Sequence, residues 1–226
     1  MADTLIAPAD AAAPEQSRTL RTVLLSIITV AVLVLAVTGG FLWGRAGHGG
    51  ISVPSASSVD AGFARDMSTH HQQAVTMAQY ARDNSTNIAV KTVAFDIETS
   101  QSVQLGMMTG WLEQWNVSRN TNSPMKWMSG HNHLGPNGLM PGMATPAQMT
   151  RLQTLHGNAL DVFFLQLMIH HHQGGIPMAQ YAAEHAQEQY VRDLAQKMYD
   201  NQTAEIVQME QLLRSLGGSP LPPPED

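Results

Sequence analysis

The sequence predicts an all-α fold, a four-helix bundle preceded by one N-terminal transmembrane helix, and three observations support this prediction. An internal repeat aligns residues 60–116 with residues 161–217 without a gap. Apolar residues recur with helical periodicity through most of the region 59–216, where strand and hairpin signals are nearly absent. A long uncharged run near the N-terminus has the length of a membrane span.

Residues 22–44 form a run of 23 residues without a charge. As a helix this run spans roughly 34 Å, enough to cross a hydrocarbon core of about 30 Å. No small-residue cleavage site follows, which favours an uncleaved signal anchor over the alternative, a cleaved signal peptide. Arg18 and Arg21 precede the run, so we expect residues 1–21 to be a short cytoplasmic tail. Residues 46–226 are then on the extracytoplasmic side of the cell membrane.

Composition shifts divide the remainder of the chain into a folded region and two irregular flanks. Residues 45–58 are rich in Gly, Ser and Pro, which indicates a flexible tether, and the Pro-rich tail 217–226 cannot continue a helix. Each copy of the repeat predicts a helical hairpin, and two such hairpins make a four-helix bundle. The predicted bundle spans 59–216, with repeat one at 60–116, a Met- and His-rich crossover at 117–145 and repeat two at 158–216.

Charge and cysteine content exclude several classes of function. The formal net charge is −6 with no basic run, so nucleic acid is not an expected partner, because phosphate binding needs clustered Lys and Arg. The chain has no cysteine, which excludes disulfides, thiolate metal sites and Cys nucleophiles.

The repeat retains a pattern of His and Met in the first helix of each copy. Of the first 22 aligned pairs, 11 are identical, whereas the second helices have diverged. At about 100° per residue, each copy places an Asp, a Met and a His on one stripe and a His and a Met on the adjacent stripe. The candidate metal ligands are Asp60, Met67, His70, His71 and Met77 in the first copy and Asp161, Met168, His171, His172 and Met178 in the second.

These residue types favour copper. A buried imidazole needs a partner for its ring nitrogens, so paired histidines at inward positions indicate a metal site better than packing. Thioethers are soft ligands that select Cu(I), and imidazole also suits Cu(II). Zinc is disfavoured because it would leave the methionines unused. A di-iron site is disfavoured because no Glu is followed by His three residues later.

The crossover carries a second set of soft ligands. Met repeated through a polar, Gly- and Pro-rich segment is not explained by helical packing, so we predict a flexible secondary metal patch there. Its candidate residues are Met125, Met128, His131, His133, Met140 and Met143.

The segment FFLQLMIHHHQGGIPMAQYA resembles the domain of unknown function family 305, as does its first copy FARDMSTHHQQAVTMAQYA. This resemblance implies a ferritin-like four-helix bundle, an extracytoplasmic location in bacteria and, for some members, copper binding and copper tolerance. The family's Gln-x-x-Glu-Ile-x-x-Met element adds Glu205 and Met209 as candidate ligands, whereas the first copy has Gln104 where Glu205 stands in the second. Pro177 predicts a kink one turn after His172.

We therefore expect a membrane-tethered protein that binds copper for buffering, sequestration or transfer, with a copper-handling protein as a candidate partner. A metal-dependent oxidoreductase that uses the same centre is an alternative, although no nucleotide loop, G-x-S-x-G or H-E-x-x-H motif is present. A helical bundle that binds a partner without metal, with its histidines as polar core residues, is another.

Overall fold

The computed structural model describes residues 53–130, 134–135 and 137–224, and the regular structure in these ranges is entirely α-helical. The predicted all-α helical bundle is confirmed. The predicted membrane span 22–44, His131 and His133 lie outside the described residues. No helix within them is long and apolar enough to span a bilayer. The helices are α1 (Val59–Asn84), α2 (Ile88–Gln114), α3 (Pro146–Leu152), α4 (Gly157–His185) and α5 (Gln189–Ser215).

The long helices pair as two hairpins. α1 packs along α2 and α4 packs along α5, and the two hairpins meet mainly through α1 and α4. Asn87 separates the helices of the first hairpin, and its side chain accepts hydrogen bonds from the N–H groups of Ala89 and Val90 at the start of α2. Such a cap satisfies N–H groups that have no partner within the helix. The helices that carry the paired histidines therefore form the centre of the bundle.

The sequence Thr145-Pro146-Ala147-Gln148 predicts a capping box at the start of a short helix that ends near His156, and α3 begins with this capping box. Thr145 Oγ1 accepts from Gln148 N at 3.2 Å, and Gln148 Oε1 accepts from Thr145 N at 2.7 Å. The helix ends at Leu152, earlier than the expected end near His156, because the next residues bond three positions back in tight turns. Gly157, at φ +55°, then redirects the chain into α4.

The helix α4 runs without interruption through Pro177, so the predicted kink does not end or divide it. Proline in a helix removes the hydrogen bond that its N–H would donate to the carbonyl four residues earlier, here that of Gln173. The helix persists because its apolar face is buried along most of its length.

Two apolar clusters rich in methionine fill the bundle. Met67 and Met178 share one cluster, whereas Met77 and Met168 share the other. Because the order of the two residues is reversed between α1 and α4, these helices run antiparallel, and the paired histidines lie between the clusters. We call them the first methionine cluster, which includes Met67, Met108, Met125, Met128, Met140, Met178 and Met198, and the second methionine cluster, which includes Met77, Met168 and Met209.

The crossover is packed onto the bundle, and the role of its methionines in a secondary metal patch remains a prediction. Met125, Met128 and Met140 belong to the first methionine cluster and are at most 6% exposed. Buried Asp66 on α1 accepts from Met125 N at 2.6 Å and from Trp127 Nε1 at 2.8 Å. Burial raises the pKa of Asp66, which these two hydrogen bonds partly offset.

A short stretch of the crossover lies directly against α4 and α1. A Cβ added to Gly174 would be 2.1 Å from the carbonyl oxygen of Pro141, so only glycine permits this approach. On the other side, Gln73 of α1 donates to Ala144 O at 2.8 Å and accepts from Ala144 N at 2.7 Å. We call residues 140–144 the strap.

Gly174→Ala should lower the free energy of unfolding by about 1–3 kcal/mol, because the added methyl group meets the rigid backbone of the strap. Gly110→Ala in α2 is the matched control. No heavy atom lies within 4 Å of its added Cβ, so the change should raise the free energy of unfolding by about 0.5–1 kcal/mol. Urea unfolding followed by circular dichroism measures both, and equal effects of the two substitutions would contradict the packing of the strap on α4.

Candidate metal centre

Four imidazoles meet at the middle of the bundle. His70 of α1 and His171 of α4 face each other with ring centroids 3.8 Å apart and planes inclined by 37°. His172 follows, 6.4 Å from the His171 ring. These rings and His71 are at most 1% exposed. Because His70 and His171 occupy equivalent positions of the repeat, their contact marks its approximate two-fold axis.

The outer two imidazoles make equivalent hydrogen bonds within their own hairpins. His71 Nε2 donates to Gln104 Oε1 at 2.7 Å, and His172 Nε2 donates to Glu205 Oε2 at 2.6 Å. The two acceptors are counterparts in the repeat, but one is a neutral amide and the other a carboxylate. Each bond places the proton on Nε2 and leaves the lone pair on Nδ1.

The strap supplies the third acceptor. His70 Nε2 donates to the carbonyl oxygen of Pro141 at 3.1 Å, so Nδ1 of His70 also carries its lone pair. A ring N–H that donates to a carbonyl or carboxylate while the other nitrogen is free is the arrangement that orients metal-ligating histidines.

The free nitrogens have no hydrogen-bond partner. Nδ1 of His70, His71 and His172 and both ring nitrogens of His171 are buried and unpaired. The amides of Gln101 and Gln202 add unpaired buried atoms, so these six residues hold eight of the eleven such atoms among the described residues. Each costs about 1–3 kcal/mol when no partner is present. The polar layer of the bundle is therefore energetically unfavourable without a ligand.

Burial keeps His70, His71 and His171 neutral. Desolvation lowers the pKa of His70 to about 4 and that of His71 to about 3. It also lowers the pKa of His171 well below its ordinary value, and the neighbouring imidazoles lower it further. At neutral pH the lone pairs are therefore available to a metal ion.

Thioethers lie on both sides of the imidazoles. Along α1, Met67 precedes and Met77 follows the histidines, and Met168 and Met178 flank them in the same way along α4. All four are fully buried. Met209 is one turn after Glu205 on α5 and belongs to the second methionine cluster. The layer of imidazole nitrogens therefore lies between thioether sulfurs.

The two candidate aspartates lie away from the imidazoles. Asp60 accepts from Gln187 N at 3.1 Å and from Glu188 N at 2.9 Å, so it fixes the turn that leads into α5. It precedes His70 by ten residues, about 15 Å along α1. Asp161 occupies the equivalent position on α4, where its buried Oδ1 has no partner. A metal role for either remains a prediction.

Within the described ranges, no group of three or more His, Asp or Glu side chains is arranged to hold a metal ion. Of the predicted secondary patch, three methionines are buried in the first methionine cluster, and Met143 is half-buried against it.

Two features of the site were not identified in the sequence. Gln101 and Gln202 are buried in the polar layer, and Gln202 Oε1 and the His70 ring both lie against Gly175. Gln101 and Gln202 are an identical pair in second helices where most aligned pairs differ, and this identity could have indicated them. At about 100° per residue, the sequence predicts that His170 lies on the face of α4 opposite Asp161, but its Nδ1 donates to Gly142 O of the strap at 3.2 Å.

A sequence profile of the domain of unknown function family DUF305 matches residues 60–213. The chain belongs to this family. Its residues 60–213 include all four buried histidines and the strap. No curated protein sequence matches the chain.

Three solved structures, two of them of DUF305 proteins, are similar to this chain. A DUF305 protein of Streptomyces coelicolor, assigned as secreted, has 43% identity and a TM-score of 0.69, over 74% of this chain and 99% of its own. A DUF305 fragment from Deinococcus radiodurans has 29% identity and a TM-score of 0.60, over 72% and 99%. CopM in its Cu(II)-bound form has 26% identity and a TM-score of 0.54, over 70% and 97%.

Stability of the metal-free DUF305 domain should fall as the pH falls from about 6.5 toward 4. In this window the unfolded chain takes up protons at His70, His71 and His171 that the folded chain does not, at up to about 1.4 kcal/mol per pH unit for each residue. Above this window their contribution is constant. Urea unfolding between pH 4.5 and 7.5 measures the slope.

His71→Gln should reduce the slope of the free energy of unfolding against pH by up to about 1.4 kcal/mol per pH unit, because it removes one of the titrating groups. His156→Gln, at an exposed histidine before α4, is the control and should leave the slope largely unchanged. A slope that His71→Gln does not alter would contradict the burial of a neutral imidazole.

Proposed function

We propose that this DUF305 domain binds copper, with a preference for Cu(I), in the layer of four buried imidazoles between the two methionine clusters. The observation that carries the proposal is the set of unpaired Nδ1 atoms, whose partner nitrogens donate to fixed acceptors. A coordinated ion would give these lone pairs the partner that the protein does not provide. The polar layer that destabilises the empty bundle becomes a stabilising site when the ion is bound.

The ligand chemistry favours copper over harder metals. Imidazole binds several transition metals, but buried thioethers on both sides select a soft ion, and Cu(I) is the soft ion that Met and His bind. The absence of thiolates suits an oxidising compartment, where cysteine ligands would be lost to oxidation. The copper would lie in the dry interior of the bundle, which supports storage or transfer.

The comparisons support this proposal. CopM, which has the same fold, has been solved in a Cu(II)-bound form at 26% identity to this chain. The Streptomyces coelicolor relative is assigned as secreted. We propose that residues 22–44 anchor the domain in the cell membrane and that the bundle buffers, sequesters or transfers copper on the extracytoplasmic side. A copper-handling protein would be the partner in transfer.

Replacing four methionines tests whether the thioethers are ligands. The combined variant Met67→Leu, Met77→Leu, Met168→Leu and Met178→Leu should weaken Cu(I) binding by at least about tenfold and Cu(II) binding much less. Leu is close to Met in volume, so the fold should survive. Competition with a Cu(I) chelator measures the affinity.

Met198→Leu is the matched control, because Met198 is fully buried in the first methionine cluster but its counterpart in the repeat is Ile97. It should leave Cu(I) affinity unchanged. If the fourfold variant binds Cu(I) as tightly as this control, the methionines serve packing alone and the soft-metal site is excluded.

Exchanging the two hydrogen-bond acceptors tests the role of the imidazoles. A carboxylate acceptor makes the opposite nitrogen of its histidine more basic, so Glu205→Gln should weaken copper binding by about 10-fold to 100-fold. Gln104→Glu should strengthen it. His71→Gln with His172→Gln keeps a side-chain donor for each acceptor but removes both Nδ1 ligands, and should cause the largest loss. Copper affinity that is indifferent to all of these changes would refute imidazole ligation.

A further inference from the structure

The strap has a second face, which borders a cavity open to solvent. The cavity has a volume of about 410 Å³. Its lining includes Met140, Met143 and His170, together with Pro222, Pro223 and Pro224 of the C-terminal tail. No Asp or Glu is among the described residues that line it. Within this part of the chain, the cavity therefore offers thioether and imidazole ligands.

A tight turn brings the two methionines together. Met143 N donates to Met140 O at 3.2 Å, with Pro141 and Gly142 at the two central positions and Gly142 at φ +77°. These are the marks of a type II β-turn, in which the first and fourth Cα atoms lie within about 7 Å. The M-x-x-M spacing of the crossover thus corresponds to two side chains that leave the same turn.

The imidazole of His170 is fixed by the same turn. Its Nδ1 donates to Gly142 O at 3.2 Å, which leaves the lone pair on Nε2. Within the described part of the chain, Nε2 of His170 has no hydrogen-bond partner, and the side chain is half-buried at the cavity. This hydrogen bond orients His170 in the way that the Pro141 carbonyl orients His70 on the inner face of the strap.

We propose that Met140, Met143 and His170 form an outer site for a soft monovalent cation, Cu(I), separate from the buried imidazole layer. The turn fixes the backbone separation of the two methionines, and the hydrogen bond to the Gly142 carbonyl leaves Nε2 of His170 free at the cavity that both methionines line. A ligand set of two sulfurs and one imidazole nitrogen without a carboxylate favours a soft ion over Mg²⁺, Ca²⁺ or Zn²⁺. The outer site extends the proposed copper binding and shares no ligand with the buried layer.

Silver titration with methyl-labelled methionine tests the outer site, because Ag(I) is a soft monovalent ion that does not change oxidation state during the measurement. In the unmodified chain, the methyl resonances of Met140 and Met143 should shift together and saturate as one class of binding equivalent. In His170→Asn that class should be lost. Asn supplies an N–H near the position of Nδ1, so the bond to Gly142 can form while the Nε2 ligand is removed.

Met143→Leu should also abolish the Ag(I) binding equivalent that shifts the outer-site methionine. Met107→Leu, at an exposed methionine of α2, should leave that equivalent intact. Unchanged shifts of Met140 and Met143 in His170→Asn, or no shift of these two residues in the unmodified chain, would overturn the outer site. The buried layer is read independently from the resonances of Met67, Met77, Met168 and Met178. If the buried layer does not bind the ion, only the resonances of those four methionines stay unshifted. If the outer site does not bind it, only the resonances of Met140 and Met143 stay unshifted.

Discussion

The structure depends on a buried polar layer whose nitrogen and oxygen atoms the bundle leaves partly without hydrogen-bond partners. The four imidazoles and two glutamine amides lie between apolar clusters, where an unpaired nitrogen or oxygen is costly. The surrounding elements are arranged around this layer. The helices α2 and α5 each provide one acceptor, and the strap provides another, so three separate parts of the chain orient the rings. The apolar clusters on either side supply the folding energy that sustains so unfavourable a centre.

The repeat makes the layer nearly symmetric, and its single departure in charge is informative. Gln104 and Glu205 accept equivalent hydrogen bonds from His71 and His172. The carboxylate gives the second hairpin a more basic ligand nitrogen than the first. In the proposed copper-bound form, the ion would therefore meet two unequal halves and would lie closer to the hairpin formed by α4 and α5.

The sequence predicted the parts of the molecule whose residues recur at a fixed spacing. Helical periodicity and the 101-residue offset were sufficient for the bundle and for the inward direction of the paired histidines, and the local Thr145–Gln148 pattern predicted its capping box. Contacts between distant segments left no such signal. The hydrogen bonds of Asp60 to the turn before α5 join residues 127 and 128 positions apart, and the strap has no period from which its packing could be inferred. His170 was missed because a helical wheel does not show which faces the crossover covers.

The burial of the methionines also determines which of them can be oxidised in an oxidising compartment. Conversion of Met to its sulfoxide needs access for the oxidant, and it would introduce a polar group into the core. The methionines of both clusters are at most 6% exposed, whereas Met107 is 42% exposed on α2. Among the described residues, Met107 is therefore the thioether that an oxidant reaches most easily, while the sulfur atoms around the imidazoles remain chemically intact as long as the bundle stays folded.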